Sequence, residues 1–330
     1  MSKSVVLVAG SGRSGTSLFA GIMQRLGYTV PTPEVPADET NPRGFAESQW
    51  VVDFHSRLLK RAGVGVADAR PSAWAVTARV CLDEAVTTEL RGWLDAQLAL
   101  ADHLIVKDPR ISWFAPLWRR CADELQAPPR FVTMLRHPAE VIDSKQRWYG
   151  GRQGEISRAA GWLNQTLFTE RATRDAPRLF VRYDDLLADW TREVTRAGEA
   201  LDLELVRCAS PGAMRSVHEF VDRDLRRSRG GWDHLSLPEP LRVLADATWQ
   251  EMTGERSFPE LDALRASYTD LYAEAEAIAH SSIAAAGKAH PGTNGRVPPA
   301  AAWLIRRVPV QHKRRVPAAW RRRAVRALRR

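Results

Sequence analysis

Apolar positions along this chain follow two alternating repeats. Val5, Val6, Leu7 and Val8 form a short β-branched run, which predicts a buried strand of a parallel sheet. Gly10, Gly12 and Gly15 interrupt it. Leu18, Phe19, Ile22, Met23 and Leu26 then recur at helical spacing. Three more short apolar runs, at 103–106, 129–135 and 178–181, are predicted as strands two to four. Helical periodicity fills the intervals at 47–61 (Val51, Phe54 and Leu58 on one face), 83–101, 113–125, through Val141 and Ile142, 154–174 and 190–201. Residues 241–253 and 261–286 are predicted as terminal helices. The segment 29–44 carries four prolines with Glu34, Asp38 and Glu39 and reads as a loop, and the stretch after Arg61 is broken by glycines. Strands alternating with helices predict an α/β domain whose central, mostly parallel sheet lies between helical layers.

Size and composition narrow the class. A chain of 330 residues, 44% hydrophobic and 26% charged, has enough apolar material for a full globular core. No apolar run is long enough for a transmembrane helix, and no secretory leader pattern precedes the first strand, so a cytoplasmic protein is predicted. Cys81, Cys121 and Cys208 are scattered and odd in number, which suits neither a disulfide framework nor a zinc site.

Charge changes the picture at one end only. From Lys288 onward there are thirteen Lys or Arg and no acid, which leaves 35 basic against 39 acidic residues in the remainder of a chain of net charge +9. The near-neutral body removes the main support for a nucleic-acid-binding protein. A domain at 1–286 and a basic tail at 287–330 without a core of its own are predicted. Trp320, Val325 and Leu328 among arginines make an amphipathic end suited to an anionic membrane surface, each basic residue near that surface contributing about 1 kcal/mol. A peripheral position on the inner face of the membrane follows from that reading; a nucleic-acid tail and a disordered end are the alternatives.

The glycine-rich turn holds the first candidate chemistry. A strand, a tight turn and a helix N-terminus direct free amides and the positive end of the helix dipole at one spot, which expects a phosphate-like group. Ser14, Thr16 and Ser17 are candidate caps. Three ligand classes use such a turn. The nucleoside triphosphate form needs Lys where Thr16 stands; the cation here is Arg13. The dinucleotide form matches at Gly10, Gly12 and Gly15, yet the proline-rich loop replaces its second strand and acid. The third class is set by the motifs downstream.

Those motifs sit at strand ends. Lys107-Asp108-Pro109-Arg110 ends the second strand, at the edge where open α/β sheets bind ligands. Arg136-His137-Pro138 ends the third, with Ser144 about two turns into the next helix, so that a charge-assisted fork and a hydroxyl can share one phosphate. Arg182-Tyr183-Asp184-Asp185 ends the fourth, where Asp184 or Asp185 is a candidate helix cap. A basic, irregular stretch follows at 218–229, with Arg223, Arg226 and Arg227.

Taken in order, these residues resemble the sulfotransferases that use 3′-phosphoadenosine 5′-phosphosulfate (PAPS). Ser11-Gly12-Arg13-Ser14-Gly15-Thr16-Ser17 resembles their loop for the 5′-phosphosulfate, in the arginine form of tyrosylprotein and many bacterial enzymes; cytosolic small-molecule enzymes carry lysine there. Asn41-Pro42-Arg43-Gly44-Phe45 with Glu47 resembles a segment of the bacterial enzymes, and Arg136 with Ser144 resembles the 3′-phosphate site. The resemblance spans residues 4 to about 230. It implies a P-loop NTPase-like three-layer αβα fold and metal-free transfer of a sulfuryl group from PAPS to a hydroxyl or amine. Gly12, Arg13, Ser14, Gly15, Thr16, Ser17, Arg136, Ser144, Tyr183, Arg226 and Arg227 are its implied donor-binding residues, and Arg13 and Lys107 its implied catalytic cations. Glu47 stands first as general base, then Glu34, in the loop where tyrosylprotein enzymes carry theirs, and then His55. The acceptor is open among carbohydrate, lipid and peptide. A kinase-like P-loop protein and a non-catalytic membrane-docking scaffold of the same fold are the competing readings.

Overall fold

The computed structural model describes residues 3–150, 153–222, 230–254 and 256–289, with the side chains of 284–289 left aside. Its centre is a four-stranded, all-parallel sheet of order β2-β1-β3-β4, with β1 Ser4–Ala9, β2 His103–Lys107, β3 Pro129–Leu135 and β4 Arg178–Arg182. In register, Val5 faces Leu104 on one side and Pro129 on the other, and Phe131 faces Arg178. Parallel strands need crossover connections, and helices supply them. These include α1 Thr16–Arg25, α2 Gln49–Ala62, α3 Ala73–Cys81, α4 Glu84–Leu100, α5 Ile111–Glu124, α6 Pro138–Tyr149, α7 Glu155–Ala172, α8 Tyr183–Ala188 and α9 Trp190–Ala200.

Alternate strand residues feed two separate cores, which makes the sheet the middle of three layers. Val5, Leu7, Ala9, Leu104, Val106 and Phe131 point into a core lined by α2, α3, α4 and α5. Val6, Val8, Ile105, Val132 and Met134 point into the other, lined by α1, α8, α9 and α11 (Pro211–Phe220). The predicted α/β architecture is therefore the observed one.

The elements missed by periodicity are short: α3, α10 (Glu204–Arg207) and α11. The proline-rich segment is a loop, as predicted, although Thr29 makes a single parallel bridge to Leu104. The Met1–Tyr268 span forms one compact unit, closed by α12 (Glu239–Thr253) and the start of α13 (Phe258–Ala289). Thr269–Arg330 groups separately; its described residues, to Ala289, continue α13. No described helix is long and apolar enough to cross a membrane.

This topology fixes where a site can form. From β1 the chain passes to β2 on one side, and from β3 it passes to β4 on the other. Loops leaving β1 and β3 thus diverge and open a crevice at their carboxyl ends, the position where open α/β sheets take ligands.

Candidate anion-binding site

The loop after β1 turns through three left-handed positions, Gly10 (φ 124°), Arg13 (φ 74°) and Gly15 (φ 88°). A Cβ on Gly10 would lie 2.6 Å from the Met134 carbonyl, so only glycine lets the chain leave β1 this close to β3. A Cβ on Gly15 would enter the Tyr183 ring. Gly12 lies beside Pro109, beyond the end of β2. Arg13 holds its left-handed conformation without that freedom, at a cost of about 1–2 kcal/mol. Its side chain is braced: Nε donates to Ser144 Oγ (3.0 Å), one terminal nitrogen donates to the Thr40 carbonyl (3.3 Å), and the guanidinium lies 5.7 Å from the Trp148 ring centre. Burial pulls its pKa down, opposed by Tyr149.

The cap of α1 departs from the sequence expectation. Gly15 occupies the N-cap position and no side chain caps the helix. Ser14, Thr16 and Ser17 therefore do not cap; Ser14 and Thr16 are buried, and Ser14 Oγ has no hydrogen-bond partner among the described residues. Glycine at the N-cap has no side chain to accept from the first-turn amides. The first-turn amides are left without a side-chain cap, as an anion site requires.

Lys107, the last residue of β2, is buried and donates to Ser17 Oγ (3.0 Å). It also pairs with the Glu47 carboxylate and lies 5.9 Å from the Phe45 ring centre. Glu47 stands just before the Ser48 cap of α2, and its carbonyl accepts from the Val35 amide at 2.8 Å. Glu34 bridges Ser48, and its carboxylate accepts from Gln24 at 2.7 Å. Both acidic candidates thus share one corner of the loop; Glu47 alone meets Lys107.

His55 does not join them. It is fully buried; its Nδ1–H donates to Asp108 Oδ2 (2.9 Å), and its Nε2 accepts from the Trp118 indole (2.9 Å). With both ring nitrogens engaged and no exposed surface, His55 has no route to an acceptor proton. Asp108 also accepts from the Arg110 amide and guanidinium, so this network ties the turn after β2 to α2 and α5.

Arg136, just past β3, donates to Glu140 (2.9 Å) and to the Arg13 carbonyl (3.2 Å), and it stacks 4.6 Å from the Tyr183 ring centre. Tyr183 thus separates Gly15 from Arg136. Ser144 meets Arg13, whereas the sequence expectation paired it with Arg136. Asp184 and Asp185 fall in the first turn of α8, whose N-cap position is Arg182; Asp189 caps α9. Arg223, Arg226 and Arg227 lie outside the described residues.

Two side chains at the loop escaped sequence reasoning. Lys145 of α6 donates to Ser11 Oγ (3.0 Å), and Gln165 of α7 donates to the Pro109 carbonyl (2.9 Å). Lys145 adjoins Ser144 in sequence, a signal that proximity to the motif offered; nothing marks Gln165.

No protein-family model and no curated protein sequence matches the chain. Among solved structures it is similar to the sulfotransferase domain from the Synechococcus PCC 7002 olefin synthase, at 17% identity and a TM-score of 0.41, over 81% of this chain and 94% of that one. It is also similar to the sulfotransferase domain from the curacin biosynthetic pathway, at 14% identity and a TM-score of 0.44, over 77% of this chain and 99% of that one.

Proposed function

We propose that this chain is a sulfotransferase that takes PAPS as donor and transfers its sulfuryl group, without a metal ion, to a hydroxyl or amine. The observation that carries the reading is the meeting of three strand ends on one loop. Arg13 gives its side chain to Ser144 and its carbonyl to Arg136, while Lys107 reaches Ser17 from β2. The residues present fit a phosphosulfate. Ser14 Oγ is buried without a hydrogen-bond partner among the described residues, the N-terminus of α1 has no side-chain cap, and the cations at the loop are Arg13 and Lys107, whereas Thr16 stands where the triphosphate motif has its Lys.

When bound, the donor supplies a sulfuryl group on a phosphate leaving group. The α1 amides and dipole bind the 5′-phosphate, and the Arg13 guanidinium neutralises charge that grows there during transfer. Arg136 and Ser144 bind the 3′-phosphate, with Tyr183 holding the Arg136 plane. Glu47 receives the acceptor's proton at its carboxylate, and Lys107 fixes that carboxylate in position. Positioning and electrostatics dominate such a loose in-line displacement, so these roles are sufficient. The acceptor is a carbohydrate, lipid or peptide; the basic tail, proposed to dock on anionic membrane, favours a glycolipid or an envelope polysaccharide.

Isothermal titration with adenosine 3′,5′-bisphosphate, alongside ATP with Mg²⁺ and NAD, tests the reading. Selective bisphosphate binding, lost in Arg136→Ala, is expected. Equal binding of ATP, or no bisphosphate binding, would return the loop to nucleotide or dinucleotide chemistry.

A further inference from the structure

Helix α6 braces the loop twice, through neighbouring residues. Ser144 accepts from Arg13, and Lys145 donates to Ser11 on the other side of Gly12. Lys145 is only 7% exposed. Among the described residues, these carboxylates of α6 and of the helices packed against it are engaged elsewhere: Glu140 with Arg136 and Asp143 with His234 on α6 itself, Glu155 of α7 with the Ser236 amide, and Asp246 of α12 with Trp232. The charge it does feel is like its own. Arg158 of α7 is buried too, and donates to the Gln146 side chain and the Gly150 carbonyl. Burial, and after it Arg158, pulls the Lys145 pKa from its ordinary 10.5 to about 8. A buried ammonium whose only hydrogen-bond partner among the described residues is a hydroxyl is a costly group for a fold to keep, unless a counter-charge completes it.

We propose that Lys145 is a positioning residue whose counter-charge is the oxyanion bound in the 10–17 loop, so that binding there is coupled to uptake of a proton from solvent onto its amine. The inference rests on the loop being the phosphate site of the proposed sulfotransferase. In the free protein above its own pKa, Lys145 holds Ser11 as a neutral amine. As the anion enters, the amine takes a proton and the ammonium stands beside the added negative charge.

The test is titration calorimetry of the full chain with adenosine 3′,5′-bisphosphate at several pH values from 7 to 9.5, in buffers of different ionisation enthalpy. Above pH 8 both phosphates of this ligand are fully ionised, so uptake there belongs to the protein. Wild type should take up close to one proton per ligand by pH 9, and its affinity should fall about tenfold per pH unit above 8. Lys145→Met should remove the uptake, flatten the pH dependence and weaken binding at pH 7 by about tenfold or more, while the ligand-free variant melts at a higher temperature. Lys145→Arg, charged throughout, should bind without uptake at pH 9.

Wild-type binding without uptake, or uptake that survives in Lys145→Met, overturns the inference and leaves the sulfotransferase reading standing. A lowered melting temperature in Lys145→Met with unchanged uptake marks a purely structural lysine and overturns it likewise. If the bisphosphate does not bind, that reading falls, and inorganic pyrophosphate becomes the probe. Uptake with pyrophosphate that is lost in Lys145→Met supports the proton coupling alone; no binding of either anion overturns both.

Discussion

Arg13 holds a left-handed backbone that glycine would adopt without strain. Such strain persists only where surrounding contacts over-determine it, and here Ser144, Thr40 and Trp148 do so. On the proposed function, Arg13→Ala should lower sulfuryl transfer by about 10²–10³-fold, while bisphosphate affinity falls less than in Arg136→Ala; single-turnover rates beside titration separate the two effects. His55→Ala should cost stability, about 3–5 kcal/mol in urea unfolding, because it leaves the buried Asp108 carboxylate and the Trp118 indole short of partners. Transfer per folded molecule should survive. A fully folded His55→Ala without turnover would give the base role to that histidine.

Lys145 also sets a pH dependence of stability. Its pKa in the fold, about 8, lies below the ordinary 10.5. The unfolded chain therefore binds more protons between these values, and this group's contribution to stability rises with pH across the window. Below about 8 its destabilisation is fully present. Lys145→Met should erase that slope in urea midpoints measured from pH 7 to 10.5. Arg13, Lys107, Arg136 and Ser144 were legible in the sequence because each occupies a fixed offset from a strand end. His55 misled as a base candidate, since a histidine on an apolar helix face carries no mark of whether its ring nitrogens are already engaged. Ser144 reads in the sequence as sharing a phosphate with Arg136 and not as the partner of Arg13, because the left-handed turn that aims Arg13 is invisible in residue spacing.

At the scale of elements, strands and long helices followed from apolar repeats, and short helices did not. The strands are mostly buried on both faces, so their sequences read as short, dominantly apolar runs, with Thr133 a polar exception inside β3. Helix α3 interrupts a glycine-broken stretch and spans nine residues, too few for a repeat to declare itself. Capping was the other failure: the side chains proposed for α1 lie in or before its first turn, where Gly15 takes the N-cap position, and those proposed for α8 lie in its first turn, where Arg182 does. The junction of β1 with its loop is the most demanding position. Gly10→Ala would push its Cβ against the Met134 carbonyl and prise the end of β1 from β3. We expect a loss of about 1–3 kcal/mol and faster amide exchange around Ala9 and Thr133, with the β1–β2 pairing retained.

At the scale of the molecule, charge separates the body from its end. Residues 290–330 contain twelve Lys or Arg and no acid, so removing them leaves 36 basic against 39 acidic residues. The membrane proposal predicts that the full chain sediments with phosphatidylglycerol vesicles, more weakly as salt rises, and not with phosphatidylcholine. The shortened chain should sediment with neither and should bind the bisphosphate as before. Retention by RNA in preference to anionic vesicles would make the tail a nucleic-acid arm.

The pairing of β1 bears on how the chain is made. This first strand lies at the heart of both cores, yet its partners are residues 103–107 and 129–133. During synthesis, a six-residue strand with five apolar residues and two open edges must wait for more than a hundred others to leave the ribosome. Contacts so distant in sequence form slowly, and unpaired edges invite association with other chains. A nascent chain arrested before residue 129 should therefore remain protease-sensitive and bind chaperones that recognise extended apolar segments, whereas one arrested well past residue 182, with all four strands emerged, should become resistant.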